Sequence, residues 1–250
     1  MAVLFTICAS SARAQRAADD YYDPREMAEA RNALKASHGD QINSLLIGER
    51  LEYLSNESDP LILWEAQGWV GKDLRKLWVK TEGEFNLDDS EFEEAEVQVL
   101  YSRAISPFWD LQAGIRHDLE PGPSRSYAAV GVQGLAPYWF EVDAAIFLSD
   151  MGRLSGRLEL EYEIRLTQRL IVQPRIELNA AFSNDRAIDV GAGLSTSDFG
   201  LRIRYEFICQ FAPYVGLSYS RSYGDTKRFR RSDAGATDQL SFVAGVRLWY

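Results

Sequence analysis

From about Ile42 onward, apolar and polar residues alternate one for one along the chain. In LSGRLELEYEIRL, Leu154, Leu158, Leu160, Tyr162, Ile164 and Leu166 share one face, while Arg157, Glu159, Glu161, Glu163 and Arg165 share the other. The same period sets Leu201, Ile203 and Tyr205 against Arg202, Arg204 and Glu206. Leu170, Val172, Ile176 and Leu178 likewise alternate with Gln173, Arg175, Glu177 and Asn179. A period of two means strands with one apolar and one polar face. The pattern predicts twelve: 42–54, 60–71, 74–86, 92–105, 108–118, 125–135, 138–148, 154–166, 169–182, 198–208, 212–222 and 238–250.

These runs exceed the roughly 5–6 residues of an ordinary globular strand and match a tilted membrane crossing. The gaps have a rhythm. SNESD, LDDSE, LEPGPS, SDMGR, 183–197 and 223–237 are long, whereas KD, SP, AP, TQ and CQF are short. Long outer loops alternating with tight periplasmic turns are the mark of a transmembrane antiparallel β-barrel, an all-β fold, and they place both termini in the periplasm. If 42–71 were not strands, ten would remain, still an even number. Two positions break the pattern. Glu49 shares a face with Leu45, Ile47, Leu51 and Tyr53, which predicts a bulge or a late entry into the bilayer. Pro174 removes a ladder hydrogen bond from its strand.

Ahead of the strands the period is that of a helix. Asp23 is a candidate N-cap, Pro24 suits the first helical position and Glu26 completes a capping box. Met27, Ala30 and Leu34 then line one face up to a stop at Gly39, so a short periplasmic helix is predicted over 24–37. The opening MAVLFTICASSARAQ reads as a signal peptide, residues 1–14, with an A-x-A site at Ala12–Ala14 and no basic n-region, which leaves room for a start upstream of this Met. The expected organisation is therefore a signal peptide 1–14, a periplasmic segment 15–41 and a barrel 42–250.

Composition narrows the choices. With 27 Lys+Arg against 37 Asp+Glu the net charge is −10, which argues against a nucleic-acid partner. Mean hydropathy is −0.26, and no apolar run approaches the ~18 residues of a membrane helix. Removal of the signal peptide leaves Cys209 alone, so no intramolecular disulfide is expected. Periodicity does not say which face is inner, and a soluble lipocalin-like barrel would put the apolar face inside. Two features favour the membrane. Trp64, Trp69, Trp78, Phe108, Trp109, Tyr138, Trp139, Phe140 and Trp249 gather near strand ends, as interfacial girdles do. The polar face also carries ions of both signs, and an outward Arg at mid-bilayer would cost ~2–4 kcal/mol. Association with outer-membrane lipid follows. The final QLSFVAGVRLWY runs as a strand to Tyr250, an ending expected of a barrel whose last strand pairs with its first and whose terminal aromatic is read by the barrel-assembly machinery.

Several blocks resemble the copper resistance protein B family. They include YYDPREMAEAR, ERLEYLSNESDPLILWEAQGWVGKDLRKLWVKTEGEF, EEAEVQVLYSRAISPFWDLQAGIRHDLEPGPSR, VGVQGLAPYWFEVDAAIFLS and the terminal FVAGVRLWY. The resemblance implies an outer-membrane protein of Gram-negative bacteria, working in copper resistance beside periplasmic copper-handling proteins, with copper ions bound, exported or sequestered at the envelope. Family members often carry a Met- and His-rich segment before the barrel, suited to Cu(I). Here residues 15–41 hold only Met27 and His38.

No catalytic constellation is visible, and a non-enzymatic role is expected. Candidate copper ligands are sparse: His117 beside Asp118 and Glu120, His38 at the helix end, Met151 in SDMGR, and Cys209 in a short turn. Each also has a bland role, as a loop or interfacial His, a helix C-cap or an incidental thiol. A better cation surface is collective. Glu82, Glu94, Glu96, Glu141, Asp143, Glu159, Glu161 and Glu163 are expected to line an acidic lumenal path, unless interspersed arginines neutralise them. A general porin-like or structural barrel without copper handling is the alternative.

Overall fold

The computed structural model describes residues 17–38, 41–55, 60–120, 122–208, 210–232 and 237–250. The predicted signal peptide 1–14 and Cys209 lie outside the described residues. The chain divides into two units, Met1–Ile42 and Asn43–Tyr250. In the first, helix α1 (Pro24–His38) follows a short 3-10 turn. The Asp23 carboxylate accepts from the Arg25 backbone N–H at 2.7 Å, occupying a free donor of the first turn as the sequence predicts.

The second unit is a closed antiparallel barrel of twelve strands. These are β1 (Asn43–Ser55), β2 (Leu61–Lys72), β3 (Arg75–Asn86), β4 (Phe92–Ser106), β5 (Trp109–Glu120), β6 (Arg125–Ala136), β7 (Phe140–Ser149), β8 (Leu154–Glu161, resumed at Ile164–Arg165), β9 (Leu170–Ala181), β10 (Gly193–Tyr205), β11 (Phe211–Ser222) and β12 (Asp238–Trp249). Each pairs with its sequence neighbours, and β12 closes on β1. Tyr250 completes the seam, its N–H donating to Leu46 O at 2.8 Å and its carbonyl accepting from Leu46 N–H at 2.9 Å. Closure leaves no open edge, the condition for a sheet in hydrocarbon.

The ion pairs decide which face is inner. Arg202 on β10 pairs with Glu52 on β1, Arg157 on β8 with Glu96 on β4, and Arg175 on β9 with Glu65 on β2. Strands that are not neighbours meet only across the interior, so the polar face lines the lumen. The apolar face is exposed, with Ile115, Val215 and Phe242 all more than half accessible. An apolar surface of that extent faces lipid, and the lipocalin-like arrangement is excluded. On this outer face Trp64 lies over Gly83; a Cβ there would sit 2.2 Å from the Trp64 ring.

Glu49 is a bulge. The pairing of β1 slips between Gly48 and Arg50 on its β2 side and between Gly48 and Leu51 on its β12 side. The extra residue reverses the parity, so Leu45 and Ile47 face inward below the bulge while Leu51 and Tyr53 face lipid above it. Glu49 is thereby lumenal, 2.9 Å from both Arg247 and the Gln67 amide.

Other elements differ from the sequence prediction. The eighth strand does not run unbroken over 154–166. Pro174 stands opposite Tyr162, and because N–H and C=O of one residue point to the same side of a strand, its missing donor falls on β8. Tyr162 N–H still reaches Pro174 O at 3.1 Å, yet β8 breaks at Tyr162–Glu163. The tenth strand starts at Gly193 rather than 198, and the last long loop contains helix α2 (Gly224–Ser232). Three expected girdle residues turn inward. Trp69 pairs with Trp78 inside the wall, and both pack with Leu100, Tyr127 and Phe147. Trp249 shares the inner register with Arg247, whose guanidinium lies 5.9 Å from its ring.

Candidate lumenal ion pathway

The inward side chains divide the lumen into two chambers. One, of about 330 Å³, lies toward the short turns and is bordered by Glu49, Lys80, Glu141, Asp143 and Glu161. The other, of about 780 Å³, lies toward the long loops and is bordered by Glu84, Glu94, Asp118, Glu177 and Asp198. Arg50, Glu82, Phe147, Arg157, Arg175 and Arg202 line both chambers, so they form the partition between them.

The partition is built from charge-assisted hydrogen bonds. Arg50 reaches Glu65 at 2.5 Å and Glu82 at 3.0 Å. Arg157 takes the other Glu82 oxygen at 2.9 Å and Glu96 at 3.0 Å. Arg116 adds Glu96 at 2.6 Å and Asp118 at 2.6 Å, with its guanidinium 4.8 Å from the Phe147 ring. Arg175 ties Glu159 at 2.9 Å to Glu177 at 3.1 Å. Arg202 holds Glu52 through two bonds of 2.5 and 3.0 Å, the bidentate geometry that suits a carboxylate. Gly200 makes room for that reach, since a Cβ there would lie 2.1 Å from Arg202 Nη1.

The predicted acidic residues all face the lumen, but most are engaged. Glu82 and Glu96 belong to the partition, Glu159 to Arg175, and Asp143 is paired with Lys80. Glu163 is 2.5 Å from Arg204 and 3.3 Å from Arg247. Glu161 accepts from Gln173 and lies 3.8 Å from Arg247. Glu94 touches only Arg157, at 4.0 Å, and it stands directly across from Glu84. Among the described residues, Glu84, Glu141 and Asp198 have no basic side chain in ion-pair contact. The path is therefore two acidic pockets interrupted by arginines rather than one acidic strip. Glu52 escaped the sequence reading because the Glu49 bulge blurred the parity of β1, although it alternates with Leu51 and Tyr53; Glu65, on β2, was missed as well, and its alternation with Trp64 and Ala66 was the available signal.

The predicted copper ligands do not converge. His117 projects on the lipid-facing register with Ile115 and Leu119, its Nδ1 2.9 Å from Ser126 Oγ. Asp118 and Glu120, its neighbours in sequence, point through the opposite face, where Arg116 holds Asp118. A strand cannot present consecutive side chains to one ion, so that trio is not a site. Met151 is exposed in the β7–β8 loop. His38 ends α1. Among the described residues no three His, Cys, Asp or Glu side chains are grouped as metal ligands, and no Met, Cys or His lines either chamber.

The outer mouth has a ceiling. In the β9–β10 loop, buried Asp185 is held by Arg125 of β6 at 2.7 Å and also by Arg153. Since β6 adjoins neither β9 nor β10, this contact draws the loop across the opening. Gly191 N–H donates to Thr226 Oγ1 at 2.8 Å, fastening the loop to α2.

The sequence over residues 42–250 matches the family model described as copper resistance protein B precursor (CopB). The chain is 43% identical over 213 residues to the copper resistance protein B homolog of Pseudomonas syringae pv. tomato, covering 85% of this chain and 72% of that protein. It is 40% identical over 215 residues to copper resistance protein B of Escherichia coli, covering 86% and 72%. Among solved structures, the NanC porin superposes with a TM-score of 0.53 at 12% identity, over 82% of this chain and 99% of that one, a likeness of fold.

Proposed function

Because the chain belongs to the copper resistance protein B family, we propose that its outer-membrane barrel takes copper ions as cargo and assists their export or sequestration at the cell envelope. The observation that carries this reading is the pairing of the family with carboxylates that have no basic partner among the described residues on both sides of the partition: Glu84 and Asp198 toward the loops, Glu141 toward the turns. Oxygen ligands favour hydrated Cu(II) over Cu(I), which prefers sulfur. The role is non-enzymatic: the lumen attracts the cation and the arginines set how far it travels. Periplasmic copper-resistance proteins are the expected partners on the inner side, and the barrel-assembly machinery is the expected reader of Tyr250.

The test is a copper-tolerance assay of a deletion strain beside copper titration of the refolded barrel. Lost tolerance, with binding weakened by Glu84→Gln/Asp198→Asn, is expected; unchanged tolerance and no binding overturn the proposal. A second reading, a general porin-like or structural barrel, is favoured by the absence, among the described residues, of Met, Cys and His from both chamber linings. Flux of Cu(II) and of a small neutral sugar into liposomes separates the two, since a general barrel passes both.

A further inference from the structure

The last long loop is charged opposite to the chain as a whole. Residues 221–238 carry Arg221, Lys227, Arg228, Arg230 and Arg231 against Asp225, Asp233 and Asp238, a local excess of two positive charges in a chain of net −10. Helix α2 sorts them. Thr226 is buried beneath the β9–β10 loop, and with Arg230 one turn later it borders the loop-side chamber. At about 3.6 residues per turn, Lys227, Arg228 and Arg231 fall on the side away from Thr226. The Arg228 side chain is 79% exposed.

That side meets the lipid-facing wall. Arg221 and Asp238 end the outward registers of β11 and β12, in line with Leu217 and Phe242. Arg221 reaches Asp238 at 3.2 Å and Lys227 reaches it at 2.8 Å, so one carboxylate positions two cations. The Arg221 guanidinium also lies 5.5 Å from the Tyr223 ring, an aromatic suited to the headgroup level. Elsewhere at this end the outward registers of β3 to β7 finish in Phe85, Phe92, Leu119, Ser126 and Leu148, with no lysine or arginine. The cationic face is one-sided.

We propose that Arg221, Lys227, Arg228 and Arg231 form a docking surface for the phosphate groups of a glycolipid headgroup in the outer leaflet. Guanidinium groups match phosphate oxygens bidentately, and clustered Lys and Arg beside a membrane select anionic headgroups. Arg231 has no acidic partner among the described residues and Arg228 has only Asp225, at 3.1 Å, leaving both able to accept a phosphate. The patch is independent of the lumen.

The test titrates the refolded full-length barrel in neutral detergent with bisphosphorylated lipid A and with its dephosphorylated form, followed by native mass spectrometry. Phosphate-dependent binding, weakened by 0.5 M salt and about tenfold or more by K227A/R228A/R231A, is expected, while R228K/R231K, which keeps the charge but not the planar fork, loses part of it and less than the triple variant does. Equal binding of the two lipids, or full binding by the triple variant, overturns the proposal. If the triple variant fails to reach the compact heat-modifiable form, the salt series and R228K/R231K decide; binding indifferent to salt overturns it.

Discussion

The guanidinium of Arg157 on β8 lies 3.0 Å from the carboxylate of Glu96 on β4, spanning the lumen to a strand four places away. This side chain also holds Glu82 at 2.9 Å and approaches Glu177 at 3.6 Å, so it is the hub of the partition between the chambers. Arg157→Ala removes the hub and leaves carboxylates on both sides of an opening. Single-channel conductance in planar bilayers is expected to rise several-fold and to become more cation-selective. Arg157→Lys keeps the charge but not the fork, and an intermediate increase is expected. Unchanged conductance in Arg157→Ala would mean that the partition does not control passage.

Arg202 and Glu52 form the most enclosed pair, with side chains 5% and 0% exposed. Breaking a buried pair from one side strands a charge and costs about 3–5 kcal/mol, whereas replacing both members with apolar groups is far cheaper. Arg202→Leu is therefore expected to lower the urea midpoint of the folded barrel markedly, and Glu52→Leu/Arg202→Leu to recover most of the loss. Additive losses in the double variant would contradict the coupling.

The strands were legible because lipid on one side and an ionic lumen on the other force strict alternation over long runs, as at Leu154–Glu161. What escaped had local causes. Pro174 broke β8 through the orientation of a missing N–H, which a linear pattern does not reveal. Trp69 and Trp78 looked like girdle residues by composition, yet their parity with Gln67 and Lys80 already assigned them to the lumen. The acidic residues were readable one strand at a time. Their ion pairs were not, since Arg157 finds Glu96 61 positions away in sequence through barrel closure alone.

Asp185 closes the outer mouth through Arg125 and Arg153. Asp185→Asn keeps the size of the side chain and its 3.2 Å cap on Ala187 N–H, but loses the charge that both arginines neutralise. The loop is expected to loosen, seen as faster protease cleavage within 182–192 of the reconstituted protein and as noisier conductance. Cleavage as slow as in the parent would show that the Gly191–Thr226 bond holds the ceiling alone.

Copper binding in the lumen should not depend on the residues a sequence search selects first. His117→Ala removes an imidazole on the lipid face, and Met151→Leu alters an exposed loop; neither is expected to shift a Cu(II) titration by more than about twofold. Glu84→Gln/Glu94→Gln removes a directly opposed carboxylate pair and is expected to weaken binding about thirtyfold, each carboxylate counting for roughly 1 kcal/mol in a partly hydrated site. Chelation of the bound ion is expected to leave the barrel folded, since arginines rather than metal satisfy the buried carboxylates. A large loss with His117→Ala would relocate the site to the outer surface.

Tyr250 separates assembly from stability. Its backbone supplies two hydrogen bonds to Leu46 at the β12–β1 seam, each worth about 1 kcal/mol net, whereas its ring is 94% exposed and packs little. Tyr250→Ala keeps both backbone bonds, so the refolded barrel in detergent should unfold within about 1 kcal/mol of the parent. Deleting the residue removes the bonds as well and should cost about 2 kcal/mol. If the ring is also the signal read during insertion, Tyr250→Ala should lower the amount reaching the outer membrane nearly as much as the deletion does. Amounts in outer-membrane fractions that followed the detergent stabilities instead, with Tyr250→Ala near the parent, would make the terminal aromatic an ordinary interfacial residue.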